Sequence, residues 1–178
     1  MKSGSVVWFT GLPCSGKSTL SRLLQESLSG QGVASELFDG DIVRQFLAKG
    51  LGFSKEDRME NVRRIAYVAD LLARHGILSI VAAISPYQES RNEIRKEGKS
   101  YIEIFVDCPL GVGESRDVKG MYKKARAGEI QHFTGVSDPY EIPTNPDLIL
   151  KTSEESQTDS LFRVLKFLTK NGYVLNSA

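Results

Sequence analysis

The sequence predicts an α/β protein in which a parallel sheet of about five strands lies between helices. Short apolar runs alternate with longer amphipathic segments along its 178 residues, and such alternation produces right-handed crossovers and a parallel sheet. The run at 77–84 is almost continuously apolar, as expected of a strand that helices cover on both faces. We expect one domain over residues 1–178, because a chain of this length can bury about 70% of its unfolded surface.

Each element follows from a local pattern of apolar spacing and stop residues. The first half of the chain predicts strands at 6–9 and 34–38, a helix from Ser18, and a long helix from Ser54 to His75 that Gly76 ends. The second half predicts strands at 77–84, 101–106 and 148–150, and helices at 88–97 and 158–169. Polar residues that follow these strands should meet at the carboxyl edge of the sheet, where open α/β sheets bind ligands.

A phosphate-binding loop lies between the first strand and the first helix. Residues 11–18 read G-L-P-C-S-G-K-S, which matches G-x-x-x-x-G-K-[ST] in the required strand, loop and helix context. The glycines let backbone N–H groups point at an anion, and the helix N-terminus adds partial positive charge. An ordinary Gly/Ser turn is the alternative, which this context disfavours. The motif predicts a P-loop NTPase fold and an ATP site formed by Gly11, Cys14, Ser15, Gly16, Lys17, Ser18 and Thr19.

Charge is balanced over the whole chain but concentrated in one segment. The formal net charge is +1 and 40% of the residues are hydrophobic, which argues against a disordered chain and a basic nucleic-acid coat. Basic residues and glycines crowd residues 114–135. A solvated charged helix is the alternative interpretation. Because strands whose carboxyl ends face the phosphates flank this segment, we predict a mobile basic lid there, without a buried element.

Cysteine usage and hydropathy bear on location. Cys14 and Cys108 do not suggest a disulfide framework, and the N-terminus carries no charged-then-apolar export signal. No apolar run approaches the roughly 20 residues that span a bilayer. We therefore expect a cytoplasmic protein with no membrane and no nucleic-acid partner.

Further motifs resemble one family, the adenylylsulfate kinases, from residue 6 to about residue 150. Residues 39–44 read D-G-D-I-V-R, and residues 52–64 carry G-F-S, D-R and E-N-V-R-R at the family's spacing. I-S-P-Y at 84–87, the basic block at 116–130 and F-T-G at 133–135 complete the pattern. The order of these blocks is specific. The family phosphorylates the 3′-hydroxyl of adenosine 5′-phosphosulfate (APS) with ATP, so the resemblance implies this activity.

The resemblance also implies a role for each matching residue. Lys17, Asp41, Lys119 and Ser85 match the catalytic set, Ser18 and Asp41 would hold Mg²⁺, and Arg116 would flank the ATP base. Two guanidinium groups suit the phosphosulfate anion, and two phenylalanines would sandwich the adenine of APS. The implied APS-binding residues are Asp39, Asp41, Arg44, Phe53, Arg58, Asn61, Ile84, Ser85, Lys119 and Phe133.

Two positions leave the chemistry open. Ser85 matches a family serine described as phosphorylated, but a strand-end serine before proline is also a frequent turn residue. We favour direct transfer, because Lys17, Mg²⁺ and Asp41 already supply positioning and charge neutralisation. Ile42 replaces the family's usual asparagine, which puts acceptor affinity or acceptor choice in doubt.

Other functions fit less well. A P-loop kinase for a different small-molecule or nucleotide hydroxyl would share the loop and lid, but not the acceptor residues Phe53, Arg58, Asn61 and Phe133. A GTP-dependent switch is suggested only by D-V-K-G at 117–120, without a guanine-reading N-K-x-D segment. The sequence is compatible with a homodimer, a free-standing chain or part of a fusion, and a functional link to ATP sulfurylase.

Overall fold

The structure is a computed structural model that describes residues 4–98 and 100–174. Five strands are present in these residues: β1 (Val6–Thr10), β2 (Ser35–Asp39), β3 (Leu78–Ala82), β4 (Tyr101–Asp107) and β5 (Leu148–Lys151). The helices are α1 (Lys17–Gly30), α2 (Gly40–Phe46), α3 (Lys55–Arg74), α4 (Gln88–Glu97), α5 (Leu110–Ser115), α6 (Met121–Arg126) and α7 (Gln157–Lys170). Within the described ranges, no helix is both long and apolar enough to cross a membrane.

The strands form one parallel sheet in the order β2-β3-β1-β4-β5. This arrangement confirms the predicted fold class. Strand β1 lies at the centre, so the loop that follows it emerges in the middle of the sheet's carboxyl edge. The ends of β2 and β3 lie to one side of that loop, and those of β4 and β5 lie to the other.

The side chains of β1 pack alternately into two hydrophobic layers, because successive residues of a strand point to opposite faces. Val7 and Phe9 pack with α1 and α7 on one face. Val6 and Trp8 pack with α3 on the other, where Ile65 is fully buried. Burial on both faces explains why the strand sequences are almost continuously apolar.

The predicted element boundaries hold to within a few residues, with informative exceptions. The long helix begins after Ser54, whose hydroxyl accepts a hydrogen bond from the Asp57 N–H at 3.1 Å. Strand β3 ends at Ala82, so the predicted strand to Ile84 is too long. Residues 83–87 leave the sheet and approach the functional site. The short helices α2, α5 and α6 were not predicted, because six or seven residues contain too little of the helical repeat to be recognised.

The predicted lid at 114–135 contains a buried element, contrary to the sequence prediction. Helix α6 turns Tyr122 and Ala125 inward, where they pack with Phe133. The rings of Tyr122 and Phe133 meet edge to face, with centroids 5.0 Å apart. This small core could not be predicted from the sequence, because its apolar residues come from two short segments that are rich in charge and show no continuous periodicity.

Candidate active site

A cavity of about 1150 Å³ lies over the carboxyl edge of the sheet. Its walls come from the loop after β1 and the start of α1, from α2 and α3, from the turn after β3, from the 114–135 segment, and from residues 152–160. All the predicted site residues line it except Gly11 and Ser15, which belong to the phosphate-binding loop but do not line the cavity. The topology therefore gathers side chains that are up to about 120 residues apart in sequence, as expected at the carboxyl edge of an open parallel sheet.

The phosphate-binding loop has a backbone that depends on its glycines. Gly16 adopts a φ of 104° immediately before α1, and Cys14 also has a positive φ of 57°. A Cβ atom on Gly11 would lie only 2.5 Å from the carbonyl oxygen of Val106. The loop is braced from outside by Thr152, whose hydroxyl donates to the Ser15 carbonyl at 2.8 Å. This loop ends at the N-terminus of α1, which makes it suited to an anion.

Lys17 is buried inside the loop, and its ammonium group is held by the chain itself. Nζ donates to the carbonyl oxygens of Gly11 at 2.9 Å and of Leu12 at 2.7 Å. Burial lowers the pKa of Lys17 to about 8, although Cys14 and Asp41 favour the charged form. A phosphate group bound in the loop would place negative charge beside this buried amine and favour its charged form.

Two aspartates occupy different environments at the end of β2. Asp39 is buried, accepts a hydrogen bond from the Asp41 N–H at 3.1 Å and lies 3.3 Å from Arg22. Asp41 is exposed in the first turn of α2 and pairs with Lys119 from the 114–135 segment. Because of this hydrogen bond, the pKa of Lys119 is raised. Asp39 is thus a buried structural residue. The exposed Asp41 carboxylate can exchange Lys119 for a ligand.

Guanidinium groups surround Phe53 on the opposite side of the cavity. The Cζ atoms of Arg44 and Arg58 lie 4.0 and 5.5 Å from the centre of its ring. Arg58 also donates to the Phe53 carbonyl at 3.0 Å and to the His132 carbonyl, and lies 3.9 Å from Asp138. Burial lowers the pKa of both arginines. This wall presents cations and one half-exposed aromatic ring to the cavity.

Asn61 and Phe133 complete that wall. The Oδ1 atom of Asn61 is buried and finds no hydrogen-bond partner among the described residues. An unpaired buried acceptor is costly, so it indicates a ligand that donates a hydrogen bond. Phe133 lines the cavity but is also buried against Tyr122, although its sequence context had disfavoured a core residue.

Ser85 is constrained by burial, by a hydrogen bond and by an unusual backbone conformation. It is buried, and its hydroxyl oxygen accepts a hydrogen bond from Trp8 Nε1 at 2.9 Å. Its φ of 47° lies in the left-handed region, which disfavours non-glycine residues. The preceding residue, Ile84, lines the cavity and its carbonyl accepts from the Thr10 hydroxyl at 2.6 Å.

Arg116 and Ile42 have contrasting positions. Arg116 lines the cavity and donates to the Thr152 carbonyl at 2.7 Å, beside the phosphate-binding loop. Ile42 is exposed on α2 and is not among the residues that line the cavity. Ile42 therefore does not contribute to the cavity wall in this structure.

Sequence reasoning did not identify the contacts of Tyr122 and Asp117. The Tyr122 hydroxyl donates to the Pro13 carbonyl at 3.0 Å, which joins α6 to the phosphate-binding loop. Burial raises the pKa of this tyrosine. Asp117, which resembles the first residue of a GTPase D-x-x-G motif, caps α6 by accepting from the Met121 N–H at 2.8 Å. Only the tertiary contact identifies Tyr122, since a tyrosine in a basic segment is not by itself a signal.

Comparison with known proteins identifies the family of this chain. The sequence model of the adenylylsulphate kinase family matches residues 3–151. An adenylyl-sulfate kinase from Deinococcus deserti is 57% identical over 169 residues, covering 95% of this chain and 93% of that protein. One from Synechococcus sp. is 54% identical over 173 residues, covering 97% and 99%.

A solved structure gives the same result. The APS kinase of Mycobacterium tuberculosis, in complex with AMPPNP and APS, has 46% sequence identity and a TM-score of 0.91. The match covers 94% of this chain and 99% of that one. The chain described here therefore belongs to the adenylylsulphate kinase family.

Proposed function

We propose that this protein transfers the γ-phosphoryl group of ATP to the 3′-hydroxyl of APS, producing 3′-phosphoadenosine 5′-phosphosulfate and ADP. The observation that carries the proposal is the content of a single cavity. A phosphate-binding loop with a buried lysine faces a wall of two arginines, an aromatic ring and an unpaired amide oxygen. The homologous M. tuberculosis enzyme, solved with AMPPNP and APS, supports both substrates.

On the ATP side, Lys17 and the loop N–H groups hold the phosphates. Burial lowers the pKa of Lys17, and a bound polyphosphate would favour the charged form of its amine. Cys14, Gly16 and Thr19 line the same wall, while Gly11 and Ser15 set the path of the loop. Arg116, which lines the cavity beside the phosphate-binding loop, flanks the base of ATP.

A magnesium ion fits the oxygen donors of this site. Ser18 offers a hydroxyl and Asp41 an exposed carboxylate, and both line the cavity beside Lys17. Oxygen ligands of this kind, with phosphate oxygens, are those that Mg²⁺ prefers. When bound, Mg²⁺ neutralises charge on the transferring phosphoryl group.

On the acceptor side, Arg44 and Arg58 bind the phosphosulfate anion, and Asn61 accepts a hydrogen bond from APS. Phe53 and Phe133 enclose its adenine, while Asp39, Ile84 and Ser85 shape the surrounding wall. Lys119 leaves Asp41 to contact the phosphosulfate or the transferring phosphoryl group. Asp41 orients the attacking 3′-hydroxyl. These contacts achieve catalysis by positioning and charge neutralisation, with one in-line displacement.

The test is an ADP-release assay that offers APS, AMP, adenosine and a simple sugar as separate acceptors. We expect Mg²⁺-dependent turnover with APS, and a loss of several orders of magnitude in Lys17→Ala. Faster turnover with another acceptor would assign the protein to a different small-molecule kinase. Wild-type rates in Lys17→Ala would contradict the role of the loop. Homodimerisation, a link to ATP sulfurylase and a cytoplasmic location remain predictions of the sequence.

A further inference from the structure

Arg91 of α4 is a fully buried cation that lies outside the set of predicted site residues. Its Nη1 atom donates to the Ser85 carbonyl at 2.5 Å, and its Nη2 atom donates to the Glu141 carbonyl at 2.6 Å. Nη2 also lies 2.9 Å from the Gln88 side-chain oxygen. Its Nε atom lies 3.0 Å from the buried carboxylate of Glu103. One guanidinium therefore ties α4, the turn after β3, β4 and the 138–142 segment together.

These contacts converge on a strained part of the acceptor wall. Ser85 has a positive φ, so surrounding bonds must maintain its conformation. Arg91 holds its carbonyl, and Trp8 holds its hydroxyl at 2.9 Å. Pro86 is bound next to them, because its carbonyl accepts from the Glu141 N–H at 2.8 Å.

The same network reaches Phe133 through the 138–142 segment. The Asp138 N–H donates to the Phe133 carbonyl at 3.1 Å, and the Gly135 N–H donates to the Asp138 carbonyl at 2.7 Å. Arg91 donates a hydrogen bond to the carbonyl of Glu141, three residues after Asp138. Both parts of the acceptor wall, Ser85 and Phe133, are thus attached to one buried side chain. None of the contacts of Arg91 described above involves the phosphate-binding loop.

We propose that Arg91 is a positioning residue for the APS site and that Trp8 assists it. The inference rests on the proposed function, since it names APS as the acceptor. Arg91 holds the Ser85 turn and the 138–142 segment in the arrangement that presents their neighbours to APS. Its fork of donors satisfies two carbonyls at once, which a lysine cannot reproduce. Loss of these guanidinium hydrogen bonds should make the part of the cavity around Ser85 and Phe133 less ordered. It should not change the phosphate-binding loop, where ATP binds.

The experiment compares Arg91→Lys with Arg95→Gln and the wild type, by titration calorimetry with APS and with ATP and by steady-state kinetics. Arg95 is a matched control, because it lies 3.1 Å from the same Glu103 carboxylate but contacts neither Ser85 nor Glu141. For Arg91→Lys we expect the Kd and KM of APS to rise at least about tenfold, as commonly follows loss of buried charge-assisted contacts. The values for ATP should stay within about twofold, and Arg95→Gln should leave both substrates within that range.

The outcomes separate the two proposals. A wild-type chain that does not bind APS overturns the proposed function and this inference with it. If the wild type binds APS, an equal weakening of APS and ATP in Arg91→Lys, or no weakening, overturns the inference alone. Should Arg91→Lys fail to fold, Trp8→Phe removes the donor to the Ser85 hydroxyl, together with part of a buried ring, and keeps an aromatic side chain in the core. We expect that variant to weaken APS more than ATP, and unchanged APS binding there overturns the positioning of Ser85.

Discussion

Replacing Asn61 with leucine should make the protein more stable and a weaker binder of APS. The Oδ1 atom of Asn61 is buried on α3, lines the cavity wall and has no hydrogen-bond partner among the described residues. Before APS binds, this acceptor therefore contributes an unfavourable desolvation free energy to the folded protein. Leucine has a similar shape, removes that acceptor and has a higher helix propensity.

The two effects can be estimated separately. An unsatisfied buried acceptor costs about 1–3 kcal/mol, part of which leucine recovers in the free energy of unfolding. A gain of about 1 kcal/mol corresponds to a rise in Tm of about 2–4 °C for a chain of this size. In the complex, loss of the hydrogen bond to APS costs a similar 1–3 kcal/mol, which raises the Kd of APS by about 5- to 150-fold.

Thermal unfolding without ligand and calorimetric titration with APS measure both quantities on one preparation. Ser160→Ala is a suitable control, because the Ser160 hydroxyl is also buried without a hydrogen-bond partner among the described residues and also lines the cavity, but from α7 and not from α3. We expect this control to keep its APS affinity. Titration with ATP should give similar values for wild type and for Asn61→Leu.

The reasoning would be refuted by either of two results. If Asn61→Leu lowers the Tm, the amide is satisfied in the free protein and pays no penalty. If its Kd for APS equals that of the wild type, Asn61 does not meet the acceptor. An equal loss of APS and ATP affinity would indicate a general change of the cavity.

Two further predictions concern Lys17 and Ser85. The pKa of Lys17 is lowered to about 8 in the empty site, so above that pH the amine is neutral and ATP, which favours the charged form, should bind with proton uptake. Calorimetry at pH 8.5 in buffers of different ionisation enthalpy would reveal the uptake as observed binding heats that differ between buffers, and identical observed heats in all the buffers would contradict it. Ser85→Ala should keep substantial activity, and transfer from a chiral γ-phosphate should invert its configuration, since the Ser85 oxygen already accepts from Trp8. Retention in the parent enzyme, with an inactive Ser85→Ala variant, would make Ser85 a phosphoryl carrier.

The phosphate-binding loop and the long helices could be predicted because their signals are local. Gly16 must adopt a positive φ next to a helix, and only a few residue patterns permit that turn. Ser54 caps α3 through its own neighbours, so the start of that helix was also visible in the sequence. Helix α6 was missed because its inward residues pack with Phe133, which belongs to another segment.

In the candidate site, too, some features could be predicted from the sequence and others depend on tertiary contacts. The sequence by itself determined which residue types were available for phosphate, metal and anion binding, because motif spacing places them after strands of a parallel sheet. Only the tertiary structure decided that Asn61 Oδ1 has no hydrogen-bond partner among the described residues, that Lys119 pairs with Asp41, and that Arg91 donates to the Ser85 carbonyl. Hydrogen bonding and desolvation depend on atoms that chain folding brings together, so no local pattern records them.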